Sequence, residues 1–483
     1  MKKIVWFIMM IIGWGVIMQG QTSVPGQTFD KKVNDHFEKG YFSKAEKRIY
    51  KLIGTGDLTE DQIWELRAQL DIMKRIRQDF SKTLDDILPK IKEYYPDVTK
   101  EQLRVWEKSG ALECMMIDGK KKYFYHAVPN LFRIDPDARA VKNAKDNPAM
   151  DSLDKTLNRL IPEMVQEARN KETNLLSPVH MRLNYTMTLE ADAIPPGECV
   201  RCWMPFPREE HERQTDITLI NTSEKEYLIA DNSHLQRSIY MEKTTKAGSP
   251  TEFNVVFEIT TRPEVYFLKE EAIKPYDTTT ALYKKYTSER ETHIRFTPEI
   301  KALSDIIVGD ETHPLIVARK IFKYISDHYP WASAREYSTI PNIPLYVIEN
   351  KSGDCGQVTL LLLTLCRYNG IPARWQSGWM LHPGDVNLHD WGELYFEGVG
   401  WVPVDQSFGR RSFSDPEMEF FFLGGIDAYR LIVNDDYSFP LYPAKTWLRS
   451  ETVDFQRGEM EWRGGNLYFN LWDWHMEVEY LDE

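Results

Sequence analysis

Residues 351–374 read KSGDCGQVTLLLLTLCRYNGIPAR, and the fold turns on how this stretch is read. Apolar residues run on from Val358, and Asn369-Gly370 followed by Pro372 forms a helix stop signal. A helix from Cys355 to Tyr368 is therefore predicted, with Cys355 in its first turn. A thiol there feels the positive end of the helix dipole and nearby unpaired N–H groups, which favour the thiolate and lower its pKa. The same N–H groups can hold an oxyanion. Gly353 and Gly356 leave room for a substrate backbone, while Leu361, Leu362 and Leu365 bury the helix. Cys366 lies eleven residues further on, roughly 16 Å along the axis, so no disulfide joins it to Cys355. The bland alternative is that Cys355 is a small apolar residue filling a core.

A catalytic thiolate needs a base, and the base needs a group to orient it. Residues 387–409 read NLHDWGELYFEGVGWVPVDQSFG. His389, Trp391, Glu393 and Tyr395 share one face of a strand, and Gly398 to Gly400 turn the chain back. Trp401, Pro403 and Asp405 then share one face of the returning strand. Such a hairpin can set His389 beside Asp405. Asp390 is expected on the face opposite His389.

The ordered pieces GDC (353–355), GIPAR (370–374), HDWGE (389–393) and GWVPVD (400–405) resemble the transglutaminase-like superfamily, which shares its core with papain-like cysteine proteases. The resemblance covers about 315–410. It implies that Cys355 is the nucleophile, His389 the general base and acid, and Asp405 the group that fixes the imidazole. It also implies an upstream helper for the oxyanion, for which Trp331 and Tyr329 are candidates, with Gly356 and Trp391 as further cleft candidates. A thiolate–imidazolium pair would then titrate low at Cys355 and high at His389. No cofactor is implied, and no EF-hand-like calcium loop is present, so no metal is expected.

Around this core the pattern changes twice. From 28 to 170 it is helical and charged, with Phe37, Tyr41, Ala45, Ile49 and Leu52 at helical spacing and a hairpin around Asp118-Gly119. From Val179 to Leu189 apolar and polar residues alternate, and short strands follow to about 265, which predicts a β-sandwich domain. Pro314 suits the first position of a helix through HPLIVARKIFKYISDHY. The fold class is α+β: a helical region over 28–170, a sandwich over 175–265, a papain-like transglutaminase core over 280–425, and a C-terminal β extension over 426–483 packing on that core. The aromatic-rich terminus reads as packed strands, with a carbohydrate platform as the alternative.

The N-terminal MKKIVWFIMMIIGWGVIMQG reads as a secretory signal over 1–20, although Met18 fits the cleavage rule poorly and leaves an uncleaved anchor open. After its removal no stable membrane span is expected, which makes the protein periplasmic or extracellular. Net charge is −13 without a long Lys/Arg run, which argues against nucleic acid. Five cysteines leave at least one thiol unpaired within an exported chain. Cys199 and Cys202 sit three apart on a predicted strand, hence on opposite faces, and read as strand residues rather than zinc ligands or a redox pair. Three functions fit: acyl transfer from a protein or peptide amide to an amine, hydrolysis of an amide, or binding of protein or envelope polymers without catalysis.

Overall fold

The computed structural model describes residues 23–481, so the segment 1–20 read as a secretory signal lies outside the described residues. The N-terminal layer is helical, beginning with Lys31–Glu38, Phe42–Ile53 and Glu60–Asp79. The third of these starts at a capping box in which Thr59 and Gln62 satisfy each other's backbone N–H groups. Ala45 and Ile49 turn inward as their spacing predicts, whereas Tyr41 stands exposed at the N-cap of the second helix and Phe42 is buried in its place. Strands Cys114–Ile117 and Lys120–Tyr123 form the hairpin, and its turn needs positive φ at both Asp118 (48°) and Gly119 (79°). Helix Ser152–Lys171 departs from the expected grouping. Its stripe of Leu157, Ile161, Met164 and Val165 packs into the central core with Ile321, Phe322 and Leu361.

The sandwich forms from two sheets. Strand Val179–Leu189 buries Met181, Leu183, Tyr185, Met187 and Leu189 and pairs with Thr251–Thr261. Strand Cys199–Pro205 pairs with Ser238–Thr244 in the second sheet. The C-terminal extension corrects the expectation for 426–483. Only Arg430–Asn434 joins the core sheet, whereas Glu459–Trp462 pairs with Cys199–Pro205 and Trp472–Tyr480 pairs with Val179–Leu189. The reason is edge closure: these strands cover backbone edges of the sandwich and bury Met460 and Trp472 there. Cys199 is exposed and Cys202 buried, as residues on opposite faces of one strand.

In the core, the cysteine helix Cys355–Tyr368 is buried nearly all round, with Leu360, Leu361, Leu362, Leu363 and Leu365 at 0% exposure. Each such side chain contributes about 1.5–3 kcal/mol of hydrophobic stabilisation, which holds the first turn still. The helix lies against a four-stranded antiparallel sheet, ordered Gly400–Val404, Asp385–Phe396, Ala373–His382, Arg430–Asn434. One end of the helix-facing side carries Ala373, Trp375, Leu394, Phe396, Val402 and Val404. Further along the same side, Trp379, Leu381, Leu431 and Val433 enter the sandwich core. The sheet thus bridges two cores, and Cys355 sits where they meet. Among the described residues no helix is long and apolar enough to cross a membrane.

Candidate active site

Asp354 is the N-cap of the cysteine helix and accepts from the Gln357 N–H at 3.0 Å, in a capping box with the Gln357 side chain. The Tyr337 hydroxyl donates to the same carboxylate at 2.6 Å. Cys355 follows at the first helical position, and its thiol donates to Asp390 Oδ2 at 3.3 Å. Gln456 donates to the other Asp390 oxygen at 2.6 Å. Cys355, Asp354 and Asp390 line a cleft of about 230 Å³, together with Trp331, Tyr337 and, from the C-terminal segment, Ser450, Glu451, Asp454, Gln456 and Arg457. The cleft loop is braced by the helical layer: Arg133 lies 4.7 Å from the Trp331 ring and donates to Ser333 at 2.8 Å.

His389 and Asp405 meet on the other side of the sheet. His389 Nε2 lies 2.8 Å from Asp405 Oδ2, and both residues are buried. Arg430 donates to that same oxygen at 3.1 Å and to both Asp427 oxygens at 3.2 Å, and it contacts His382 at 3.3 Å. The imidazole is walled by Phe408 and Trp391. Strand parity explains the separation. Asp390 follows the parity of Leu394 and Phe396, which face the helix, whereas His389 follows that of Trp391 and Glu393. No hydrogen bond joins Cys355 to His389 among the described residues.

Several expectations change accordingly. The thiol does not titrate low: burial, Asp390 and Asp354 all push its pKa well above the free-thiol range. The dipole argument omitted Asp354, which occupies the positive end of the helix with a carboxyl of its own, itself pushed up to about 6 chiefly by burial. Nor does His389 titrate high, because burial lowers it despite Asp405. Asp405 is held below the usual carboxylate range: burial raises it, but His389 and Arg430 outweigh that. Gly356 makes room for protein rather than substrate, since a Cβ there would stand 2.4 Å from the Tyr337 hydroxyl and 2.7 Å from Asp390 Oδ2. Trp331 is 48% exposed at the cleft rim, whereas Tyr329 is buried and lies outside the cleft lining. Trp391 is buried beside His389 and donates to Gln376 at 2.9 Å.

Residues 450–457 were not legible as site residues, because they reach the cleft only through the unforeseen pairing of the C-terminal strands. Asp390 carried a signal, as an acidic residue where the superfamily pattern often has a small one. Its contact predicts that Asp390→Asn will raise the alkylation rate of Cys355 by iodoacetamide at pH 8. Removing the carboxylate lowers the thiol pKa, and each unit lowered is worth about tenfold in thiolate while the thiol stays mostly protonated. Stopped-time mass spectrometry of the Cys355 peptide reads the rate, and an unchanged or slower rate would contradict the contact's role.

The family comparison agrees with the class of fold. Residues 301–406 match the family model of the transglutaminase-like superfamily, a span that holds the cysteine helix, the histidine strand and Asp405. Three solved structures are similar over part of the chain. A candidate cysteine protease from Cytophaga hutchinsonii is 14% identical and aligns over 64% of this chain and 93% of its own, with a TM-score of 0.44. The periplasmic domain of TgpA from Pseudomonas aeruginosa is 13% identical over 48% of this chain and 88% of its own, with a TM-score of 0.26. A candidate protease from Parabacteroides distasonis is 10% identical over 57% and 66%, with a TM-score of 0.21. No curated protein matches the sequence.

Proposed function

We propose that this chain is a transglutaminase-like cysteine enzyme acting on protein or peptide amides through a thioester on Cys355. His389 takes the Cys355 thiol proton as the sulfur attacks the amide carbonyl, the C–N bond breaks, and the nitrogen leaves with that proton, delivered by His389. An amine or water then attacks the thioester, gives up its proton to His389, and the thiol is regenerated. Asp405 orients the imidazole throughout. The observation that carries this reading is the position of the Cys355 thiol, at the first turn of an immobile helix and on the wall of an open cleft. The His389–Asp405 pair at 2.8 Å, one residue from the thiol's own partner, supports the assigned base.

In this reading the described arrangement is a resting state. Turnover requires His389 to replace Asp390 at the sulfur, a local rotation of the strand by one residue. Ser377 and Gly378 of the facing strand pair with Asp390 and His389 in an unbroken ladder, and the register shift at that point lies on their other side, against Arg430–Asn434. The segment 1–20 supports action outside the cytoplasm. A second reading, a binding cleft without turnover, is favoured by the protonated thiol and by the burial of His389 away from the cleft.

Mass spectrometry of the purified protein with a glutamine-peptide library, with and without amines, separates these readings. The enzyme reading expects an acyl adduct on the Cys355 peptide, discharged by amines as transfer or by water as hydrolysis. If neither adduct nor product forms with any library member, the binding reading stands.

A further inference from the structure

One side-chain amide from the C-terminal segment reaches both residues that compete for the sulfur. Gln456 is 3% exposed, and its Nε2 donates to the His389 carbonyl at 2.8 Å and to Asp390 Oδ1 at 2.6 Å. A backbone carbonyl can only accept, so the amide turns its nitrogen to the strand, and both of its N–H groups are used there. Asp390 in turn accepts from the Cys355 thiol on its second oxygen at 3.3 Å. A single carboxyl thus links the C-terminal segment to the cysteine helix. The amide is mounted through its own backbone: the Gln456 N–H donates to Glu451 at 2.7 Å, and its carbonyl accepts from the buried Trp379 indole at 2.8 Å. The residues before it are tied down as well. The Val453 carbonyl accepts from Gln236 at 2.7 Å and the Asp454 carbonyl from Arg449 at 3.2 Å.

We propose that Gln456 is a positioning residue of the cysteine site, which holds Asp390 against the thiol and so keeps the site in its resting arrangement. As a statement about turnover it rests on the Cys355 reading. Bringing His389 to the sulfur turns successive strand residues to the opposite face, so the His389 carbonyl and the Asp390 carboxyl leave Gln456 together. While they stay, Oδ1 is fixed and Oδ2 remains aimed at the sulfur. Burial, Asp454 and Asp354 raise the Asp390 pKa well above the carboxylate range. Donors on its two oxygens, the thiol and Gln456, work against that rise. Without Gln456 the carboxyl takes up a proton more readily or turns off the sulfur, and either change eases loss of the thiol proton. Gln456 therefore acts on the sulfur through Asp390, and the C-terminal strands that close the sandwich also supply a working part of the site.

Iodoacetamide labelling of the full chain at pH 8, read peptide by peptide by mass spectrometry, tests this in Gln456→Met and Gln456→Ala, each alone and combined with Asp390→Asn. Both substitutions remove the donor and keep the backbone bonds to Glu451 and Trp379. Each single variant is expected to label Cys355 about tenfold faster than the unaltered protein, the change for one unit of thiol pKa. Each double variant is expected to label no faster than Asp390→Asn alone. That non-additivity marks a residue acting through Asp390, whereas a general loosening would multiply with loss of the carboxyl. Cys366, fully buried on the same helix, monitors the fold and should stay unlabelled. An unchanged or slower Cys355 rate, double variants faster than Asp390→Asn, or labelling of Cys366 in both single variants would each overturn the proposal. Because the readout is thiol labelling, a protein that shows this pattern without ever forming an acyl adduct keeps the role of Gln456 and loses the turnover reading. An adduct-forming protein with additive variants does the reverse.

Discussion

Replacing Cys355 by alanine is expected to abolish turnover while leaving the unfolding midpoint nearly unchanged. Losing a covalent nucleophile costs on the order of 10⁶ in kcat in enzymes where it has been removed cleanly. The structural cost is small, because the side chain sits at the first helical position and is only half-buried. Its one hydrogen bond goes to Asp390, which keeps Gln456 as donor to the other oxygen. His389→Ala should follow with a loss of about 10² to 10⁴, the range of a missing general acid–base. The two variants separate the mechanism from its rivals. If Asp390 served as the base, Asp390→Asn would fall as far as His389→Ala. In the proposed mechanism it falls less, because the carboxylate that holds the thiol protonated has gone. Progress curves on a substrate found by the adduct screen measure all three. Full activity in Cys355→Ala would end the thioester account.

Much of this site could be read before any coordinates. The cysteine helix announces itself through its apolar run and its Asn-Gly and Pro stop, and its bounds, Cys355–Tyr368, coincide with expectation, although the capping role of Asp354 was not read. The hairpin of His389 and Asp405 follows from period-two alternation and the glycine turn. The alternation did not tell which face of that strand meets the helix. Trp391 lies on one face and Leu394 and Phe396 on the other, and all three are buried. A strand buried on both sides gives no apolar contrast from which to choose a face. The sequence marked Asp390 as unusual but, for that reason, did not place it rather than His389 against the thiol.

The remaining gap is one of sequence distance. Glu459 pairs with Trp203 and Trp472 with Leu189, partners more than 250 residues away. Local propensity marks such segments as strands without naming the sheet they join. That closure carries Ser450, Glu451, Asp454, Gln456 and Arg457 to the cleft wall, where Gln456 holds Asp390.

Arg430→Met should cost about 3–5 kcal/mol at neutral pH, the usual penalty for removing one member of a buried ion network. Arg430 has no exposed surface and is the cation between Asp405 and Asp427, themselves buried. Methionine matches much of its volume and keeps packing on Phe408, whose ring lies 4.2 Å from the guanidinium. The loss is therefore electrostatic. Both carboxylates are held below their ordinary range: burial raises them, but Arg430 with His389 at Asp405, and Arg430 with His382 at Asp427, outweigh it. A depressed carboxylate pKa contributes stability above the unfolded value and loses it as pH falls through the folded one. Without Arg430 the folded carboxylates take up protons at higher pH, so the gap between variant and parent should narrow on acidification. Urea denaturation at pH 7 and again near pH 4.5 measures both parts. A variant as stable as the parent at pH 7, or a gap that widens in acid, would show that the arginine is not what keeps Asp405 ionised against His389.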